Sequence, residues 1–223
     1  MKIVTALYDK DDRGYASMLE NMQKSVSRLG YSIYVERLTS DPIARYARKD
    51  NYFAPCYFKP HVIRAALNCF QENILWLDSD CLVRENVDEM LDGCDVAITL
   101  RRWSPGQSRD LYDGYINAGV MAFRYGREAF SLINAWTGQL ALGSRADQDA
   151  LNMVLLKGSN LEAYGEIFEI AGAKVKVLPC DIYNFFYFDD KPEVVNRAKI
   201  YHVKGHLRPQ YYDAIAAKVL KGE

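Results

Sequence analysis

The chain has 223 residues, 49% hydrophobic and 26% charged, the size and make-up of a single globular α/β domain. Its 28 basic residues against 29 acidic ones give a net charge of −1, so there is no basic field for a phosphate backbone and no nucleic-acid partner is expected. Five scattered cysteines, odd in number and without a Cys-x-x-Cys pair, read as buried thiols in a reducing compartment rather than as disulfides or a zinc site.

Ile3 to Leu7 reads as a first strand buried on both faces. It is too short for a signal peptide, and no apolar run approaches a membrane span. A cytoplasmic location is expected, unless the chain is a domain cut from a longer protein. Asp11 or Asp12 can cap a helix whose apolar positions Tyr15, Met18, Leu19, Met22, Val26 and Leu29 keep helical spacing. Gly30 ends it, and Tyr31 to Val35 alternate as a second strand. This β-α-β opening calls for a parallel sheet with a right-handed crossover. Thr39 to Phe53 has no clean period and reads as loop. Pro60 starts a helix with Val62, Ile63, Ala66, Leu67 and Phe70 on its apolar side. Strands are expected at 74–77, 96–100, 120–123 and 175–178, and helices at 128–140 and 148–156. Arg101 to Gly114 is polar and holds Pro and Gly, which suits a mobile excursion near a site. Aromatic residues crowd Tyr183 to Phe188.

Four clusters carry chemistry. Asp78-Ser79-Asp80 directly follows the apolar run Ile74-Leu75-Trp76-Leu77, so both acids stand at the C-terminal end of a buried strand. Ligand crevices of open α/β sheets lie outside such ends. Two carboxylates there make a hard-oxygen site for Mg²⁺ or Mn²⁺ and, through the metal, for a diphosphate. The same Asp-x-Asp spacing recurs at Asp9-Lys10-Asp11 and Asp147-Gln148-Asp149, so the spacing alone also fits a solvated turn. The second cluster is Asn117-Ala118-Gly119-Val120, where a glycine entering a strand lets a ligand approach the backbone and an amide can bond a sugar hydroxyl. A turn leading into a strand explains it equally well. In the third, Asp147-Gln148-Asp149 precedes Ala150-Leu151-Asn152. Capping accounts for Asp147 but not for Gln148 or Asp149. The fourth, His202-Val203-Lys204-Gly205-His206-Leu207-Arg208-Pro209, offers an imidazole that can complete a carboxylate metal site, a glycine for close approach, and two cations for a diphosphate.

In this order the four clusters resemble the A-type glycosyltransferases, the group that includes glycogenin and the bacterial lipopolysaccharide galactosyl- and glucosyltransferases. The likeness runs from the first strand to about Pro209. It departs at Arg208, where that group has lysine, and at Gln210, where it has tryptophan. Few residues follow the last motif, so a reduced acceptor side is expected.

The resemblance implies a single-domain, mostly parallel nucleotide-diphospho-sugar transferase fold over residues 1–223, a Rossmann-like sheet flanked by helices. Residues 1–100 would form the nucleotide-binding half and 101–223 the acceptor half. It implies Asp78, Asp80 and His202 as ligands of Mn²⁺ or Mg²⁺. Thr5, Ala6 and Tyr8 would hold the base, and Asp78 and Ser79 would line the donor. Lys204, Gly205 and Arg208 would meet the diphosphate, with Lys59 as a further phosphate candidate. Asn117, Ala118 and the Asp147–Asp149 segment would flank the transferred sugar. The activity implied is transfer of a hexose from a nucleotide sugar, UDP-glucose or UDP-galactose foremost, to a hydroxyl of a glycan or glycoprotein with retention. An inverting enzyme would use a carboxylate base, and Asp149 can serve as one. Two other readings stand beside it. A haloacid-dehalogenase-type phosphatase also places Asp-x-Asp after a strand, but on the first strand and with Thr or Val where this chain has Leu82. The other is a non-catalytic nucleotide-sugar-binding domain.

Overall fold

The computed structural model describes residues 1–8, 14–39, 57–101, 116–143, 146–155 and 164–223. The chain opens with β1 (Lys2–Tyr8), α1 (Tyr15–Arg28) and β2 (Ile33–Leu38), followed by α2 (Lys59–Phe70) and β3 (Ile74–Leu77). A short β4 (Cys81–Val83), β5 (Val96–Leu100) and a long β6 (Ile116–Phe123) come next, then α3 (Arg127–Ala141) and α4 (Asp147–Leu155). The last part holds β7 (Ile167–Ile170), β8 (Ala173–Pro179), α5 (Cys180–Tyr183), α6 (Pro192–Val195), β9 (Ile200–His202) and α7 (Arg208–Lys221).

The main sheet runs β2-β1-β3-β6-β5-β8-β7. β1 is parallel to β2 and β3, and β5 to β8, while β6 and β7 run against their neighbours. Five of the seven strands therefore point one way, as the sequence predicts for a mostly parallel sheet. Both faces are covered. Val4, Trp76, Ile98 and Met121 pack with α2, α3 and α4 on one side. Ile3, Leu7, Leu75 and Leu77 pack with Leu19, Met22 and Val26 of α1 on the other. That burial explains why the strands are apolar runs rather than alternating ones. β4 and β9 form a separate antiparallel pair that pairs Cys81 with His202 and is roofed by α7.

The chemistry of the chain explains where elements begin and end. α1 closes with Gly30 at φ +81 and a bond from Tyr31 N to Val26 O of 3.1 Å, a left-handed cap. Tyr31 thus belongs to the helix stop, and β2 starts at Ile33, two residues later than the alternation predicts. β6 reaches back to Ile116 because the polar Asn117 is buried and internally bonded, not exposed in a turn. The β5–β6 register slips between Ile98 and Thr99, an irregularity of the kind found beside sites. β4, β7, β9 and α7 were not expected from the sequence. The proposed caps Asp11 and Asp12, nearly all of the 39–53 loop and residues 102–114 of the polar excursion lie outside the described residues. Among the described residues, no helix is long and apolar enough to cross a membrane.

Candidate active site

β3 ends at Leu77, and the Asp78 N–H donates to Gly119 O at 2.8 Å, so the first acid is set by the strand pairing itself. Its Oδ1 accepts from Trp76 Nε1 at 2.9 Å and pairs with Lys59 Nζ at 2.9 Å. Its side chain is 30% exposed, against 6% for Asp80, so Asp78 is the acid that opens to solvent. Lys59, buried at the start of α2, also meets Asp147 Oδ2 at 2.8 Å and Ala118 O at 2.9 Å. One ammonium thus draws β3, β6 and α4 together. Burial pushes the Asp147 carboxyl up, and Lys59 offsets part of that rise.

Asp80 is held from two sides. Its Oδ1 stands 3.2 Å from His202 Nε2, and its Oδ2 accepts from Arg208 at 2.6 Å. Burial alone would raise its carboxyl, but His202 and Arg208 outweigh it and hold it well below the usual range. Arg208 also bonds the Tyr15 hydroxyl, which ties α7 and α1 to the acid. His202 Nε2 lies 3.9 Å from Asp78 Oδ2, so two carboxylates and one imidazole converge beyond the end of β3. The pairing of β4 with β9 brings the histidine in.

Asp80, Cys81 and His202 also form a cluster with metal-ligand spacing. The Cys81 thiol is pushed well up by burial and faces Gly119 O, so it offers no thiolate. Asp78, whose Oδ2 lies 3.9 Å from the same imidazole, could take the third place instead, and carboxylate oxygens are the kind of ligand that hard divalent cations accept.

No family model matches the sequence, and no curated protein matches it either. Solved structures do match. One is a glycosyltransferase involved in glycosylation of the major capsid of PBCV-1, at 17% identity and a TM-score of 0.60, covering 92% of this chain and 96% of that one. Another is the glycosyltransferase GlyE of Streptococcus pneumoniae TIGR4, at 17% identity and a TM-score of 0.56, covering 98% of this chain but 59% of that one. A third is the galactosyltransferase LgtC in complex with donor and acceptor sugar analogs, at 18% identity and a TM-score of 0.51, covering 100% and 94%. The fold is that of the A-type glycosyltransferases.

Within this fold, most of the sequence-derived candidates fall into two sets. Asp78, Asp80, His202, Lys59, Asp147, Ala118, Gln148 and Arg208 are joined by direct contacts in one network, which Asn117 enters through Asn184. Gln148 Oε1 accepts from the Ala118 N–H at 3.3 Å, which fixes the start of α4 against β6. Asp149 is half-buried in the same first turn. A second set lies at the margin. Ala6 and Tyr8 are half-buried at the end of β1, and Ser79 is buried between the two acids. The Lys204 ammonium sits 3.4 Å above the Phe186 ring, near Arg101, and burial lowers its pKa to about 7.

Five expectations change. Lys59 has its donors directed at Asp78, Asp147 and Ala118, so it braces the acids and is not presented to a phosphate. Asp147 is inside α4 and faces Lys59 rather than capping the helix. Gly119 leaves room for the His202 ring, and Asn117 spends its amide oxygen on Gly119 N and Asn184. Among the described residues nothing lies within 4 Å of a Cβ built at Gly205 and its φ is not positive, so none of them demands glycine there. Thr5 lies buried on the α1 side of β1, and among the described residues its hydroxyl has no hydrogen-bond partner.

Sequence reading missed Asn184, Thr99 and Tyr15 as residues of the site. Asn184 had a signal, as the lone amide within the aromatic run Tyr183 to Phe188.

Proposed function

We propose that this chain is a metal-dependent glycosyltransferase. It moves a hexose from UDP-glucose or UDP-galactose to a hydroxyl of a glycan or glycoprotein, with retention of anomeric configuration. The observation that carries this reading is the convergence of Asp78, Asp80 and His202, from two separate sheets, at the C-terminal end of β3 in this fold.

Asp78, Asp80 and His202 would hold Mn²⁺ or Mg²⁺, which when bound supplies Lewis-acid neutralisation of a leaving diphosphate. The chain's own groups do the rest. Lys204 presents a cation in a partly apolar setting, where an anion is attracted more strongly than in water. Ala6 and Tyr8 stand where a base can lie at the end of β1, and the Tyr8 ring suits a pyrimidine. Asp147, Gln148 and Asp149 flank the sugar side through the first turn of α4. A solved form of LgtC carries glutamate in place of an active-site glutamine, which favours Gln148 as the residue on the reactive face. The transition state resembles an oxocarbenium ion leaving a diphosphate, so positioning and charge stabilisation are the expected sources of rate.

The test is release of UDP from UDP-glucose and UDP-galactose with and without Mn²⁺, with the anomer of the product read by NMR. Mn²⁺-dependent UDP release is expected. Binding without release would leave a nucleotide-sugar-binding domain. Release of inorganic phosphate from a phosphomonoester would return the phosphatase reading.

A further inference from the structure

We infer that Asn184 is a positioning residue that holds a proton on His202 Nδ1, so that Nε2 is the nitrogen turned to Asp78 and Asp80 and kept for a metal. This deepens the metal-site reading and rests on it.

A backbone N–H can only donate, and the one at Gly119 sets the polarity of the contacts that follow. The Gly119 N–H meets the side chain of Asn117 at 2.9 Å, so the atom there must be oxygen, Oδ1. The same Oδ1 is 2.9 Å from the amide of Asn184, so the Asn184 atom facing it must be the Nδ2 donor. The second Nδ2 hydrogen goes to Thr99 Oγ1 at 2.7 Å. The Thr99 hydroxyl can accept it because its own proton has the Asn117 and Val120 carbonyls, at 3.3 and 3.4 Å. The carbonyl oxygen of Asn184 is then left for His202 Nδ1, at 2.8 Å. An oxygen that can only accept requires Nδ1 to carry the proton. The unprotonated nitrogen of a neutral ring is therefore Nε2, the atom 3.2 Å from Asp80 Oδ1 and 3.9 Å from Asp78 Oδ2.

Every member of the relay is buried: Thr99, Asn117, Asn184 and His202. Water cannot replace a lost link, and flipping either amide would set donor against donor or oxygen against oxygen. The polarity of one backbone N–H in β6 is thus transmitted over two amides to the imidazole. Outer partners of this kind orient a ligating histidine and raise its basicity toward the metal. Gly119 completes the arrangement, because a Cβ there would lie 2.6 Å from His202 Nδ1.

The experiment is long-range ¹H–¹⁵N correlation of the imidazole rings in ¹⁵N-labelled protein, metal-free and with Mg²⁺, with His202 assigned by a His202→Gln variant. The expected result is a protonated Nδ1 in both states and an unprotonated Nε2 with Mg²⁺. An unprotonated Nδ1 in either state would overturn the assignment. Asn184→Ala is then measured for Mn²⁺ affinity by titration calorimetry, with circular dichroism confirming the fold. A loss of about 10- to 100-fold is expected, together with loss of the single ring tautomer. Wild-type tautomer and affinity in that variant would also overturn it. Should Asn184→Ala not fold, the wild-type ring still decides. If the wild-type protein binds no metal, the metal reading fails, whereas the metal-free ring still tests the relay.

Discussion

Gly119 and His202 are packed so closely that residue 119 has no room for a side chain. A Cβ there would lie 2.2 Å from His202 Cε1. The glycine has no positive φ, so the requirement is space and not backbone conformation. Gly119→Ala must push the imidazole out of its bond to Asn184 or bend β6. A stability loss of about 1–3 kcal/mol, typical of overpacking, is expected in thermal melts. Mn²⁺ should also cease to raise the melting temperature. A variant that melts like wild type and is stabilised by Mn²⁺ to the same extent would show that His202 can move at no cost.

Lys59 places one ammonium against both Asp78 and Asp147. Lys59→Met keeps the apolar stem but strands two carboxylates, one of them deeply buried. Removing one partner of a buried pair costs about 3–5 kcal/mol, and a loss in that range is expected by chemical denaturation. Adding Asp147→Asn should restore part of it, since one stranded charge is gone. Additive losses in the double variant would mean the two side chains do not share an interaction.

The pH dependence follows from Lys204, lowered to about 7 first by burial and then by Arg101. Between that value and the ordinary lysine range, the unfolded chain holds the proton and the folded protein does not. Stability of the free protein therefore rises with pH across this window. UDP acts in the opposite direction. A diphosphate beside Lys204 favours the ammonium, so binding takes up a proton and weakens as pH rises, by up to about tenfold per unit. Calorimetry at about pH 8 in two buffers of different ionisation enthalpy counts that proton. No uptake would remove Lys204 from the diphosphate.

The sequence made the frame legible because its strands are buried on both faces and so read as apolar runs. Ile74 to Leu77 identified the strand end that carries Asp78, and the helical spacing of Met18, Leu19, Met22 and Val26 identified α1. It did not show the partners of the charges. Nothing about Lys59 in sequence says that it will meet Asp147, 88 positions on, and the pairing depends on how α2 and α4 cross the sheet. β9 escaped notice because Ile200-Tyr201-His202 is too short to show a period. α7 was readable from Tyr212, Ile215, Ala216 and Val219, which keep helical spacing and are all buried. Asn117 read as the start of a turn because its polarity is spent inside the protein.

If Asp78, Asp80 and His202 hold a nucleotide sugar through a divalent metal, calorimetry will register it. UDP-glucose and UDP-galactose are titrated into wild-type protein and into Asp80→Asn, with and without Mn²⁺, with the fold of the variant confirmed beforehand. Binding to wild type only with Mn²⁺, and loss of binding in Asp80→Asn, is the expected result. Equal affinity without Mn²⁺, or undiminished Mn²⁺-dependent binding by Asp80→Asn, would contradict it.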